Sequence, residues 1–159
     1  MFRLNKLTDY GIVLMTCVAH DAGRQLRTAR DLAAGTRLPL PTVVKILRLL
    51  MDRELLVSQR GVKGGYALAR DAGKISVAEI IEALEGPIGF TECSTSPGCC
   101  ELERSCGVRG NSQIIGRALH RALRGITLAD LTRPLRLAAE APAAANVVTS
   151  ITLTSGRVQ

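Results

Sequence analysis

Four of the five cysteines fall between Glu92 and Gly107, in the pattern Cys93-x5-Cys99-Cys100-x5-Cys106. The opening stretch MFRLNKLTDYGIVLM carries Lys6 and Asp9 within its apolar run and lacks a cleavage site, so the chain reads as cytoplasmic, with reduced thiols. In a reducing compartment, clustered thiols hold a metal or a cluster, or sense redox state, more often than they form a structural staple.

Three chemistries compete for these sulfurs. Structural zinc takes four tetrahedral ligands, usually with a tight Cys-x2–4-Cys pair, and no such pair is present. A bare thiol switch needs only two cysteines, and the adjacent Cys99 and Cys100 make a poor disulfide. Three thiolates in a Gly/Ser/Pro-rich loop favour an iron–sulfur cluster. Six or seven residues reach about 20 Å when extended, enough to fold around such a group. His20 and His120 lie outside the loop sequence and read as surface or capping residues, while Cys17, on an apolar helix, reads as core.

What would position and use this loop is indicated by charge. Residues 1–70 hold twelve Lys and Arg against five Asp and Glu, a net of +7; residues 71–159 hold nine of each, a net of zero. The first half should therefore face a polyanion. Its core is aliphatic by necessity, with two Phe, two Tyr and no Trp in 159 residues.

The spacing Leu7, Tyr10, Gly11, Leu14, Val18 predicts a first helix over 7–21 with Thr8 as its N-cap. Thr28 to Asp31 is a capping-box variant opening a second helix to Gly35, and a Gly35–Leu38 turn leads to a third, with Pro41 in its first turn and the stripe Val43, Ile46, Leu47, Leu50. Thr42, Lys45 and Arg48 fall opposite that stripe, the residue types a helix in a major groove requires. Leu56–Arg60 and Tyr66–Arg70 read as two strands around the turn Gly61-Val62-Lys63-Gly64-Gly65, a wing with Arg60 and Lys63 at its tip. That turn lacks GxxxxGK[ST] and leads into a strand, which argues against nucleotide binding. Ser76 to Glu79 caps a further helix ended by Gly86-Pro87, and Glu79, Glu82, Glu85, Glu92, Glu101 and Glu103 read as solvated faces. A long helix over 108–124 follows the cysteines, with Ile114, Ile115, Ala118, Leu119, Ala122 and Leu123 as its apolar face; Thr127 to Asp130 caps a last short turn.

The fold class expected is mainly α with a small β-hairpin: a winged helix-turn-helix DNA-binding domain over 1–86, a cysteine-rich loop over 87–107, a dimerisation helix over 108–133 and a disordered tail over 134–159. The segments LTDYGIVLM, LPLPTVVKILRLL and above all RGVKGGYALAR resemble the Rrf2 family of bacterial transcription regulators, over roughly residues 1–132. The resemblance implies a homodimer acting on a double-stranded DNA operator. It also implies an iron–sulfur cluster, 2Fe–2S or 4Fe–4S, held by three loop cysteines. Cys93 and Cys106 match the outer two. Cys100 is preferred for the middle ligand and Cys99 is the alternative, since each keeps a five-residue spacing to one neighbour. IscR-like members take a histidine three residues after the third cysteine, where this chain has Arg109, which cannot ligate. NsrR-like members take a carboxylate from the partner's first helix, and Asp9 occupies the matching place; the residue-level alternative is that Asp9 complements the helix dipole.

The leading function on this reading is a cluster-dependent transcription regulator, a repressor of SUF-type cluster-assembly genes. A nitric oxide or redox-sensing NsrR-like repressor is the alternative within the class, and an iron–sulfur carrier or electron-transfer protein the alternative outside it. Nothing supports an enzyme: no catalytic residue is assigned, and there is no Cys-x-x-Cys and no nucleophile with a neighbouring histidine. For DNA, Lys45, Arg48 and Thr42 are assigned to the groove, Arg60 and Lys63 to the wing, and Arg30 to a phosphate.

Overall fold

Helix α1 (Lys6–His20) is capped by Asn5, whose Oδ1 accepts from the Thr8 amide at 3.0 Å. Thr8 is therefore not the cap; it lies one turn inside the helix and is fully buried. The computed structural model describes residues 4–20, 26–61, 63–95, 98, 100–101 and 105–133. The tail over 134–159 and Cys99 lie outside these residues, as does the side chain of Cys93.

Helix α2 (Ala29–Thr36) opens on the expected capping box: the Asp31 amide donates to Thr28 Oγ1 at 3.2 Å and the Thr28 amide donates to Asp31 Oδ2 at 3.0 Å. It runs past Gly35 and ends at Arg37, which takes the left-handed conformation (φ 57°) and donates its amide to the Ala33 carbonyl. That conformation costs a non-glycine residue on the order of 1 kcal/mol; here it aims the chain through Pro39 into α3 (Leu40–Asp52). Val43, Ile46, Leu47 and Leu50 are all fully buried, as their spacing predicts, and join Leu14, Met15, Leu32, Leu55, Ile75 and Ile80 in one core. Each such aliphatic side chain contributes about 1.5–3 kcal/mol when removed from water.

The wing pairs β1 (Leu56–Gln59) with β2 (Gly65–Leu68) antiparallel, Leu56 opposite Leu68 and Gln59 opposite Gly65. Gly61 turns it with φ 119°. Gly65 is required for close approach, because a Cβ there would stand 2.7 Å from the Arg27 carbonyl oxygen. The reason is a third rung absent from the sequence reading: the Tyr66 amide donates to the Arg27 carbonyl at 2.8 Å, lashing the wing to the entry of α2.

A 3-10 turn (Ala72–Lys74) leads to α4 (Val77–Glu85), which starts on the Ser76/Glu79 capping box. Three glutamates read as solvated have partners: Glu79 also pairs with Arg70, Glu82 meets His120, and Glu85 accepts from the Asn5 amide at 2.9 Å. The cysteine segment is not all loop, for Glu92–Thr95 forms a one-turn helix α5 packed against α6 (Arg109–Arg124). The chain then returns to the head. The Leu128 amide donates to the Ile75 carbonyl and the Val77 amide to the Ile126 carbonyl, both at 2.8 Å, and Leu128 of α7 (Leu128–Leu131) is fully buried in the same core. Among the described residues no helix is long and apolar enough to cross a membrane.

Candidate nucleic-acid interface and cysteine loop

The residues assigned to DNA lie on the surface of the helix-turn-helix and wing. Arg30 on α2, Lys45 and Arg48 on α3, and Arg60 and Lys63 at the wing tip are all exposed. Thr42 is half-buried at one flank of α3. The residues exposed beside Lys45 and Arg48 are instead Leu40, Pro41 and Val44, which a search for charge alone passes over. Asp31, the acidic residue beside this surface, is committed to the cap. The Thr28 hydroxyl, then the Thr28 amide and the Arg27 charge, hold its carboxyl below the usual carboxylate range.

The long helix turns a different face inward than its apolar pattern suggests. Ser112 and Gly116 are the buried positions, whereas Ile114, Ile115, Ala118 and Ala122 are exposed and Leu119 and Leu123 half-buried. The small side is used because α4, α5 and the preceding segment sit close to it: a Cβ at Gly116 would lie 3.4 Å from Ser94 Oγ and 3.6 Å from the Phe90 nitrogen. Ser94 in turn donates its hydroxyl to the Thr91 carbonyl at 2.6 Å, fixing the turn that carries Cys93. Beside this junction Ile88, Ser94, Gln113, Arg117, His120 and Arg121 line an open cleft of about 600 Å³.

Cys100 and Cys106 are half-buried thiols with no disulfide, the soft donors that iron–sulfur clusters take. The Arg109 amide donates to the Cys106 carbonyl at 3.3 Å, so the third cysteine is anchored to the first turn of α6. Asp9 lies exposed in the first turn of α1, next to Val13 one turn on, which is exposed as well. Within one copy, and among the described residues, no three His, Cys, Asp or Glu side chains converge on a metal-sized space. Thiolates of this kind are the donors that suit an iron–sulfur cluster. Cys17 packs beside the core, as expected, and His20 is exposed at the end of α1.

A winged helix-turn-helix with basic groove and wing residues, followed by a cysteine loop seated on a long helix, can be compared directly with known proteins. The profile of Rrf2, described as an iron-dependent transcriptional regulator, matches residues 4–134. The chain belongs to the Rrf2 family. Protein rrf2 of Nitratidesulfovibrio vulgaris is 29% identical over 135 residues, covering 85% of this chain and 90% of that one. The structure of CymR, the global cysteine regulator of B. subtilis, superposes with a TM-score of 0.67 at 26% identity, covering 83% of this chain and 97% of that one. The IscR structure from T. potens gives 0.62 at 26% identity, covering 82% and 85%. This Rrf2 chain is accordingly a DNA-binding transcriptional regulator with a winged helix, and not an enzyme.

Proposed function

We propose that this Rrf2 regulator is a homodimeric repressor of SUF-type cluster-assembly genes, and that Cys93, Cys100 and Cys106 hold an iron–sulfur cluster completed by Asp9 of a second copy. The observation that carries this reading is where the unburied apolar surface lies. Apart from Leu40, Val44 and Val57 on α3 and the wing, the exposed large hydrophobic residues are Val13 on α1, four residues on from Asp9, Phe90 and Val108, which flank the cysteines in sequence, and Ile114 and Ile115 on α6. A second copy covering these faces would bury them and bring an Asp9 carboxylate to the loop. When bound, such a cluster supplies a thiolate-ligated iron centre sensitive to oxygen, nitric oxide and iron supply.

The chain's own residues provide the coupling. Asp9 stands on α1, and α1 packs on α2, α3 and α4, so a carboxylate held by a cluster would tie the reading head to it as one body. Two recognition helices then need a separation of about 34 Å, one turn of DNA, for both to enter successive major grooves. Arg109 in place of a ligating histidine and the exposed carboxylate of Asp9 favour, as a second reading, nitric oxide or redox sensing of the NsrR type.

Anaerobic purification with a visible spectrum, iron and sulfide counts, and operator affinity before and after chelation test the proposal. A coloured protein with about one cluster per chain and an affinity that changes on chelation is expected. A colourless protein without sulfide, whose affinity is indifferent to Cys→Ser replacement, ends it.

A further inference from the structure

The row Leu40, Val44, Arg48 runs along α3 at i, i+4 and i+8, beside the pair Pro41 and Lys45, and every one of these residues is exposed. Val44 is 47% exposed and Leu40 38%. A single exposed apolar residue needs no explanation on a protein surface. This one stands out by position, since the core stripe of α3 is already complete and Val44 adjoins Lys45 and lies one turn before Arg48 on the same face. Those cations bring the face against a polyanion, so whatever Val44 meets must be the apolar feature of that polyanion. In the major groove the one apolar group on a base edge is the C5-methyl of thymine. A β-branched side chain suits the contact, because valine keeps essentially one χ1 rotamer in a helix and so loses little freedom on docking.

We infer that Val44 is a specificity-determining residue that packs on a thymine methyl, selecting an A·T pair at one position of each half-site. Leu40 flanks the same step, and Lys45 or Arg48 takes a neighbouring guanine or phosphate. The inference rests on α3 being the groove-reading helix, as proposed above. It adds a residue that reads by shape where the charged ones read by hydrogen bonding.

The test is selection from a random duplex library by the full-length protein, cluster-loaded and again after chelation, followed by thymine-to-uracil exchange in the selected operator. Uracil removes only the methyl. Wild type is expected to select an A·T pair within each half-site and to lose about fourfold in affinity on uracil exchange there, the worth of one methyl-sized group removed from water. Val44→Ala is expected to keep the rest of the motif, to relax that one position and to be blind to the exchange, with Val44→Thr between the two. Because Val44 is exposed, all three should melt together. An unchanged motif in Val44→Ala, an equal uracil penalty in both proteins, or no uracil penalty in wild type overturns the inference. A wild type that selects no motif in either form overturns groove reading by α3 as well.

Discussion

His120 Nε2 lies 3.2 Å from Glu82 Oε1, tying the long helix α6 to α4 of the winged head. Both side chains are more than a third exposed, at 34% and 39%. Pairs this wet hold little energy, because water screens the charges and two side chains must be ordered. Glu82→Gln and His120→Ala should each lower stability by less than about 1 kcal/mol in urea melts, with a coupling of similar size in the double-mutant cycle. A coupling above about 2 kcal/mol would show that the pair is a structural joint and not a surface contact.

Acid should loosen the head through its caps. For Glu79, burial raises the carboxyl pKa, but the Ser76 amide and hydroxyl with the Arg70 charge outweigh it, and the net shift is downward from the ordinary 4.5. Asp130 is lowered from 3.8 by the Thr127 hydroxyl and amide, and Asp31 from 3.8 by those of Thr28. A carboxyl lowered by folding stabilises fully above its unfolded value and loses that contribution as pH falls through its folded value. Melting temperature should therefore hold from neutrality to about pH 5 and decline below the ordinary carboxylate range. Ser76→Ala should cost about 1 kcal/mol at pH 7 and flatten part of that decline. An acid slope identical in Ser76→Ala, Glu79→Gln and wild type would refute the assignment.

The parts of this fold that show in the sequence are those decided within one turn of chain. The three capping boxes at Thr28, Ser76 and Thr127 need only residues three apart, and the α3 stripe needs only its own period. What does not show is decided by distant neighbours. The rung between Arg27 and Tyr66 pairs segments far apart in the chain, and Gly116 goes inward where Ser94 and Phe90 approach it. At the proposed site, the crowding of cysteines shows in the sequence because it lies in residue type and spacing. Val44 escaped notice because an apolar residue on a basic face carries no charge signal.

Burial predicts how α6 should respond to charge. Ile114 is 57% exposed and takes no part in the core of the single chain. Ile114→Asp should therefore leave the far-ultraviolet dichroism and folding of the head intact. Paired across a second copy's α6, however, the same change places a charge in an apolar contact, which costs several kcal/mol. Sedimentation at micromolar concentration should shift from dimer to monomer, and operator affinity should fall by at least a hundredfold as the half-sites are read singly. A variant that sediments as wild type moves the dimer contact off this face.

The cysteines separate by substitution. Cys93→Ser, Cys106→Ser and Cys100→Ser should each abolish the visible spectrum and reduce iron to below about a tenth of wild type after anaerobic purification. Cys99→Ser should keep both, if Cys100 is the middle ligand as preferred. Asp9→Asn should retain iron while shifting the spectrum, because the three thiolates remain and only the oxygen donor weakens. If Cys99→Ser bleaches the protein and Cys100→Ser does not, the middle ligand is the other sulfur. If Asp9→Asn changes neither the spectrum nor cluster-dependent DNA affinity, the carboxylate serves only the dipole of α1.

Salt dependence distinguishes phosphate contacts from base contacts on the basic face. Arg60 and Lys63 at the wing tip and Arg30 on α2 are exposed, as phosphate contacts require. Each Ala variant should weaken binding about equally on specific and unrelated DNA and reduce the slope of log K against log salt by about one. Lys45→Ala and Arg48→Ala on α3 should instead cost about 1–3 kcal/mol on the operator and much less on unrelated DNA, relaxing one base position each. Should Lys45→Ala lower affinity uniformly across sequences, that lysine grips a phosphate, and Arg48 with Val44 carries the readout.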